Sequence, residues 1–289
     1  YTVYGDTDSS YFSIACLIND TMSDEDIIKL ADELGKKIND SFPQKMKDMF
    51  LVSLEQGAII QAGREVVAKK GIFKDKTKKR YALYVIDDEG KKVSKLKIMG
   101  METQRSDTPK FIQEFLKDCI KLIIQDEGTE LELKQKIEDF RDEFFEMDAW
   151  KLGSPSRVSK LKESTRLLSE YENGMMAKKP YVYWVVLASI NHNRYLEYYK
   201  DFDTPPIRDG DKVETFYLDK NDNENNPLHA DKVSVSVDMT NAPDWIKILP
   251  IDKKIAYNKL VKKKVENVFD MFDWDLNPPE NNFNDVIDW

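Results

Sequence analysis

Cysteine and histidine are almost absent from this sequence: Cys16, Cys119, His192 and His229 are all it has in 289 residues. Two cysteines cannot build a disulfide framework, and a Cys/His zinc site would have to recruit every one of these four side chains, so both are set aside. No stretch approaches the roughly 18 consecutive apolar residues of a transmembrane helix, and the N-terminus lacks the basic-then-apolar layout of a signal peptide. The expectation is a soluble intracellular chain with no membrane partner. Internal repeats at solenoid spacing are missing too, and the biased stretches are short and polar. What remains is a globular composition, 41% hydrophobic and 11% aromatic, with 34% charged residues and a net charge of −9. The length suits roughly two domains. The sequence opens at Tyr1 without Met, inside an apolar run that reads as a strand, so we expect a piece of something longer.

The opening reads as a strand over 1–4, a turn at Gly5-Asp6-Thr7-Asp8, and a strand over 9–17. Ser23 and Asp26 form a capping box that starts a helix with Ile27, Leu30, Leu34 and Ile38 on one face. A mixed segment covers 46–60. A hairpin follows from 81–86, the turn 87–90 and 93–98. From Thr108 the pattern becomes helical: Pro109 suits the first position, and Phe111, Phe115, Cys119, Leu122 and Ile123 recur at helical spacing, which makes Cys119 core. Thr129 and Glu132 box a second helix carrying Leu133, Ile137, Phe140 and Phe144. A third helix is predicted over 155–171, a strand pair around 212–218 and 232–237, a surface loop at 219–227, and a last helix over 252–271. The apolar run 181–190 and the aromatics Tyr181, Tyr183, Trp184, Tyr195, Tyr198 and Tyr199 read as core and strand packing, with a base-stacking platform as the alternative. His192 and His229 read as structural or surface residues.

Two features carry chemistry. Asp6 and Asp8, two apart in extended backbone, project to one side and can share a hard divalent cation, although a polar hairpin turn would look the same. Residues 69–80 hold seven bases (Lys69, Lys70, Lys74, Lys76, Lys78, Lys79, Arg80) against the single acid Asp75, a local +6 that leaves −15 for the remainder. Such a run is either a solvated loop or a track for a polyanion, and its attachment to the strand at Tyr81 favours the track.

Tyr4-Gly5-Asp6-Thr7-Asp8-Ser9 resembles the palm motif C of family B DNA polymerases, and Lys78-Lys79-Arg80-Tyr81-Ala82-Leu83 resembles that family's Lys-Lys-Arg-Tyr element. Arg64-Glu65, Leu96-Lys97-Ile98-Met99-Gly100-Met101-Glu102-Thr103-Gln104 and Ser106-Asp107-Thr108-Pro109-Lys110 are similar to its T-even-type phage replicative branch. The resemblance is closest over 1–110 and thins beyond. It implies an α+β fold: residues 1–105 as the C-terminal part of a palm, an antiparallel β-hairpin sheet with helices; 106–272 as a mainly helical thumb; 273–289 as a flexible tail. It also implies template-directed nucleotidyl transfer by a two-metal mechanism with Mg²⁺, acting on primer-template DNA and deoxynucleoside triphosphates in the cytoplasm of a bacterial host. Asp6 would bind the metal pair and Asp8 would support it, with Thr7 and Ser9 holding the turn. Lys78, Lys79, Arg80 and Tyr81 would lie along the primer-template minor groove. Glu65 and Glu89 would be secondary palm acids, and Arg105 and Lys110 would grip primer phosphates.

The motif A aspartate, the motif B helix, the steric-gate tyrosine and the exonuclease acids of that family have no counterpart here. They would belong to chain preceding Tyr1, so this chain is expected to be inactive alone and to need an N-terminal polymerase portion as partner. In the acidic tail, Phe283, Val286, Ile287 and Trp289 are spaced apolar anchors suited to a groove on a partner. By the resemblance, Phe283, Ile287 and Trp289 are candidates for docking on a sliding clamp. Two other readings stay open. One is a non-catalytic DNA-binding and clamp-tethering module; the other is a nucleotide-sugar transferase using Asp6-Thr7-Asp8, against which the Lys-Lys-Arg-Tyr and Met-Gly-Met-Glu elements argue.

Overall fold

A computed structural model describes residues 2–6, 9–74, 77, 79–236, 239–270, 272, 274 and 276. The chain divides into two compact units, Tyr1–Met101 with Ile120–Gly128, and Glu102–Cys119 with Thr129–Trp289. Each mixes helices with antiparallel sheet, an α+β architecture.

In the first unit, β1 (Thr2–Asp6) and β2 (Ser9–Phe12) pair antiparallel, with Asp6 opposite Ser9. Gly5 and Asp6 therefore belong to the strand rather than to the turn. The second strand also ends earlier than its β-forming residues suggested, giving way to a 3₁₀ turn at Ala15–Leu17. The Ser23–Asp26 capping box starts α1 (Asp24–Phe50) as the spacing predicts, but the helix runs on past Pro43. It is followed by the single turn α2 (Leu54–Gly57). Ile27 packs with Val67 and Ile86, while Ile38, at the far end of the predicted stripe, is exposed.

A three-stranded sheet follows in the order β3 (Val66–Phe73), β4 (Tyr81–Asp88), β5 (Lys91–Met99). β4 is central and covered on both faces, which is why its sequence reads as a continuous apolar run. Glu89 and Gly90 both take positive φ (52° and 80°), the geometry of a two-residue hairpin turn. β3 has no counterpart among the predicted strands. Its exposed Lys69 and Lys70 hid the pattern, as charges on an edge strand do.

The second unit begins with α3 (Lys110–Ile124), whose last turn from Ile120 belongs to the first unit, and continues with α4 (Glu130–Glu146). The Thr129–Glu132 capping box forms, and Leu133, Ile137, Phe140 and Phe144 are all buried as the 3.6-residue period demands. Phe115 stacks on Phe140 with ring centroids 3.8 Å apart. Cys119 is fully buried, and burial pushes its thiol up to about 12, an inert core residue. Beyond α4 the helix predicted from Pro155 is instead β6 (Ser154–Arg157), and α5 (Leu161–Glu172) starts later. The run predicted to pack as strand is helical, α6 (Trp184–Tyr199). It was ambiguous because a helix buried on nearly all sides, with Ser189, Asn191 and His192 inside, has little amphipathic signature.

α6 covers a sheet in the order β6, β7 (Lys212–Tyr217), β8 (Lys232–Val235). Tyr195 and Leu196 pack there with Phe216, Val233 and Val235. After the single turn α7 (Asp244–Lys247), Asp252 caps a final helical run through α8 (Lys253–Tyr257), a π-type turn at Asn258–Lys262, and α9 (Lys263–Phe269). In detail, Asp252 accepts from the Ile255 N–H at the start of α8. No helix among the described residues is long and apolar enough to cross a membrane.

His192 lies inside this core, fully buried against Trp245, with the Ser234 backbone beside its ring. Burial lowers its pKa from 6.5 to about 4. The unfolded chain therefore takes up a proton as pH falls through 6.5 while the folded chain refuses it, so stability present above 6.5 is lost progressively toward 4. His192→Phe, which keeps an aromatic ring beside Trp245, is expected to remove a fall of about 2 kcal/mol between pH 7 and pH 5. Urea unfolding of both proteins at the two pH values checks this; an equal fall in the variant would contradict it.

Candidate functional site

The first unit brings two distant sequence elements together. Tyr4 on β1, Tyr11 on β2, Phe73 on β3 and Tyr81 on β4 form a four-ring cluster in which every pair of centroids is 5.3–6.1 Å apart. Tyr11 donates its hydroxyl to Tyr81 Oη at 3.1 Å. Burial, then that hydrogen bond, raise the Tyr11 pKa, and the Glu65 carboxylate adds to the effect. Because the rings come from β1, β2, β3 and β4, they fasten the β1–β2 hairpin to the three-stranded sheet.

This junction fixes Lys79. Its backbone N–H donates to Tyr4 Oη at 2.6 Å, and its own φ is +59°. Gly100, at the end of β5 with φ +61°, lies so close beneath that a Cβ there would stand 2.0 Å from the Lys79 carbonyl oxygen. Only glycine permits that approach. The side chain then reaches across, and Lys79 Nζ is 3.4 Å from Asp6 Oδ2, with Lys79 68% and Asp6 19% exposed. Two residues 73 positions apart thus share one place. Arg80 is half-buried and Tyr81 is buried, so the Tyr81 ring serves the cluster rather than the surface.

The basic stripe is more structured than a loop. Lys69 and Lys70 sit on β3 and already pair with Asp24 and Glu127. The Lys74 N–H donates to Arg80 O at 3.0 Å and Thr77 Oγ1 to Lys74 O at 3.1 Å, closing a β3–β4 hairpin. Lys74, Lys79 and Arg80 lie at its tip. Ser9 is exposed opposite Asp6. Glu65 and Glu89 are joined through their backbones, with Glu89 in the turn at the other end of β4 from Tyr81. Thr7, Asp8 and Lys78, and in the tail Phe283, Ile287 and Trp289, lie outside the described residues.

In the second unit Arg105 forms a bidentate pair with Asp107 at 3.0 and 2.9 Å, which raises the guanidinium pKa and holds the carboxyl below its ordinary range. Its fork is therefore engaged internally, whereas Lys110 is exposed at the start of α3. Tyr195 and Tyr199 stack on Trp245, while Tyr181, Tyr183 and Tyr198 are exposed.

Asp6 offers the hard oxygen donors a divalent cation prefers, at a rigid strand end. No group of three potential metal ligands occurs among the described residues.

This chain belongs to DNA polymerase family B, whose profile matches residues 1–197. A DNA-directed DNA polymerase of Escherichia phage RB69 is 30% identical over 305 aligned residues, covering 95% of this chain and 32% of that protein. One of Enterobacteria phage T4 is 34% identical over 165 residues, covering 50% of this chain and 17% of that protein. The chain therefore spans at most about a third of the length of these curated relatives.

The positioning residues that sequence reasoning missed are Tyr4, Phe73 and Gly100; the last lay in the quoted Met-Gly-Met-Glu element, where a glycine closing a strand signals a close backbone approach. Gly100→Ala is expected to destabilise the chain by roughly 2 kcal/mol or more. Gly35→Ala, in α1 with nothing within 4 Å of an added Cβ, is expected to stabilise it by about 0.5–1 kcal/mol. Denaturant midpoints distinguish the two, and equal effects would contradict the packing described.

Proposed function

We propose that this chain supplies the C-terminal palm-and-thumb portion of a DNA-directed DNA polymerase, with the palm part over 1–105, the thumb over 106–272 and a tail over 273–289. It acts in the cytoplasm of the bacterial host. The observation that supports this most is the 3.4 Å approach of Lys79 to Asp6, since it unites the acid of one motif with the base of the other. The substrates are primer-template duplex and deoxynucleoside triphosphates, and the partner is the N-terminal polymerase portion. A two-stranded β1–β2 sheet is marginal by itself, and its outer edge suits further strands from that portion.

Asp6, with Asp8 beside it in sequence, holds Mg²⁺ together with acids from the N-terminal portion. Held there, Mg²⁺ would supply the positive charge that favours an ionised primer 3′-hydroxyl and offsets the charge on the triphosphate and leaving pyrophosphate. Lys79 balances and orients the Asp6 carboxylate, and its exposure lets it turn to a backbone phosphate. Arg80 and Lys78 extend the same positive track along the minor-groove side, with Tyr81 holding the track on the sheet. Lys110 adds a phosphate contact at the start of the thumb, with Arg105 a further one when it exchanges Asp107 for phosphate. Glu65 and Glu89 are secondary acids, Thr7 and Ser9 shape the turn, and Phe283, Ile287 and Trp289 anchor the tail on a sliding clamp.

The same Lys79–Asp6 pair favours a second reading, because an ammonium on the acid occupies the place a cation would take: a DNA-binding and clamp-tethering module whose palm acids are vestigial. Primer extension separates the two. This chain mixed with the N-terminal portion and Mg²⁺ is expected to extend a primer, and Asp6→Asn to reduce the rate by 100-fold or more, on the order of 3 kcal/mol or more. Extension unaffected by Asp6→Asn would sink the metal-ligand role. Lys79→Met is expected to weaken duplex binding and lower the slope of log affinity against log salt by about 1.

A further inference from the structure

Residues 38–62 form a feature of the first unit that the proposed site does not use. α2 folds back on α1, so that a Cβ on Gly57 would meet the Pro43 carbonyl oxygen at 2.9 Å and Met46 Cβ at 3.1 Å. The segment is tied down at both ends. Ser53 and Gln56 form a reciprocal capping box, and the Asn39 side chain makes two hydrogen bonds to the backbone of Ala62, at 2.7 and 3.0 Å. On this fixed platform six large apolar side chains face water: Met49 (72% exposed), Phe50 (60%), Leu51 (91%), Leu54 (47%), Ile59 (77%) and Ile60 (47%).

Single exposed apolar residues are ordinary, but a cluster of this kind marks an interaction surface. Leu51 adds an independent observation. It closes α1 in the left-handed region at φ 57°, where Gly or Asn is the favoured residue. With 91% of the residue exposed, packing inside the unit does not offset that strain.

We propose that this surface seats the N-terminal polymerase portion, and the inference rests on the function proposed above. Two observations choose that occupant. The match covers 32% of the length of the RB69 relative, so on the function proposed above the larger share of the polymerase is available to pack on this chain. Glu55 is also the sole charged residue between Met49 and Ile60, and an apolar, charge-poor patch is the character of a permanent interface rather than of a site for nucleic acid.

The test titrates the separately expressed N-terminal portion with the full 289-residue chain and with its Leu51→Asn/Ile59→Asn double variant. Asn suits the backbone at position 51, and Ile59 lies outside the helices, so the fold is retained; circular dichroism and the unfolding midpoint verify it. The double variant is expected to bind the N-terminal portion at least about tenfold more weakly, with duplex DNA affinity and its salt slope unchanged. Equal binding by wild type and variant overturns the inference and leaves the polymerase reading intact. A wild-type chain that neither binds the N-terminal portion nor supports primer extension overturns both. Self-association abolished in the variant, with binding to the N-terminal portion unaltered, overturns the inference in favour of a contact between copies.

Discussion

Two strands joined by a short turn bury too little surface to stand alone in water, and the β1–β2 hairpin keeps its place because Tyr4 and Tyr11 pack into Phe73 and Tyr81. Aromatic pairs of this kind contribute about 0.5–1.5 kcal/mol beyond their buried area, and here every ring meets the other three. The cluster also supplies the Tyr4 hydroxyl that accepts the Lys79 N–H. Packing, backbone conformation and the meeting of Lys79 with Asp6 are thus one arrangement. Taking away the rings would leave an acid and a base with no reason to be near each other.

The charges of this acidic chain are placed with equal economy. Lys264 donates to Thr108 Oγ1 at 2.7 Å and pairs with Glu102 at 3.3 Å, with both ionic partners about nine-tenths buried, so the last helix holds the start of α3 within the second unit. Lys253 donates to the carbonyls of Phe145 and Met147 and satisfies the C-terminal end of α4, where a cation also complements the helix dipole. Arg64 links Asp32 on α1 to the buried Asp87 on β4. Bases in the middle of each unit are structural. At the tip of the β3–β4 hairpin the Lys79–Asp6 pair, 68% and 19% exposed, is a surface pair of about 0–1 kcal/mol that is easily exchanged.

Much of this was legible in the sequence where local chemistry decides the outcome. The capping boxes at Ser23 and Thr129, the buried stripe of α4 and the turn at Glu89-Gly90 follow from residues a few positions apart. The sequence failed where tertiary context overrides local signals. β3 hides behind the lysines of an edge strand; α6 buries polar as well as apolar residues; and Ser154–Arg157 pairs with β7, so Pro155 occupies an edge strand rather than a first helical turn. The candidate site was legible in its residues and not in its assembly. Asp6 and Lys79 stand out as motifs, but neither the approach of Gly100 nor the hydroxyl of Tyr4 can be read from composition or period. Arg105, a phosphate contact by the resemblance alone, pairs with Asp107 two residues on.

The central claim is that Asp6 and Lys79 act as one unit, and a double-mutant cycle on duplex DNA affinity at low salt tests it most directly. If the pair is coupled, Asp6→Asn frees Lys79 for phosphate and strengthens binding in the wild-type background, while in the Lys79→Met background it has a smaller effect, with a coupling of about 0.5 kcal/mol or more. Strictly additive effects of the two substitutions would contradict the account, since they would mean that the acid and the base meet DNA independently of each other.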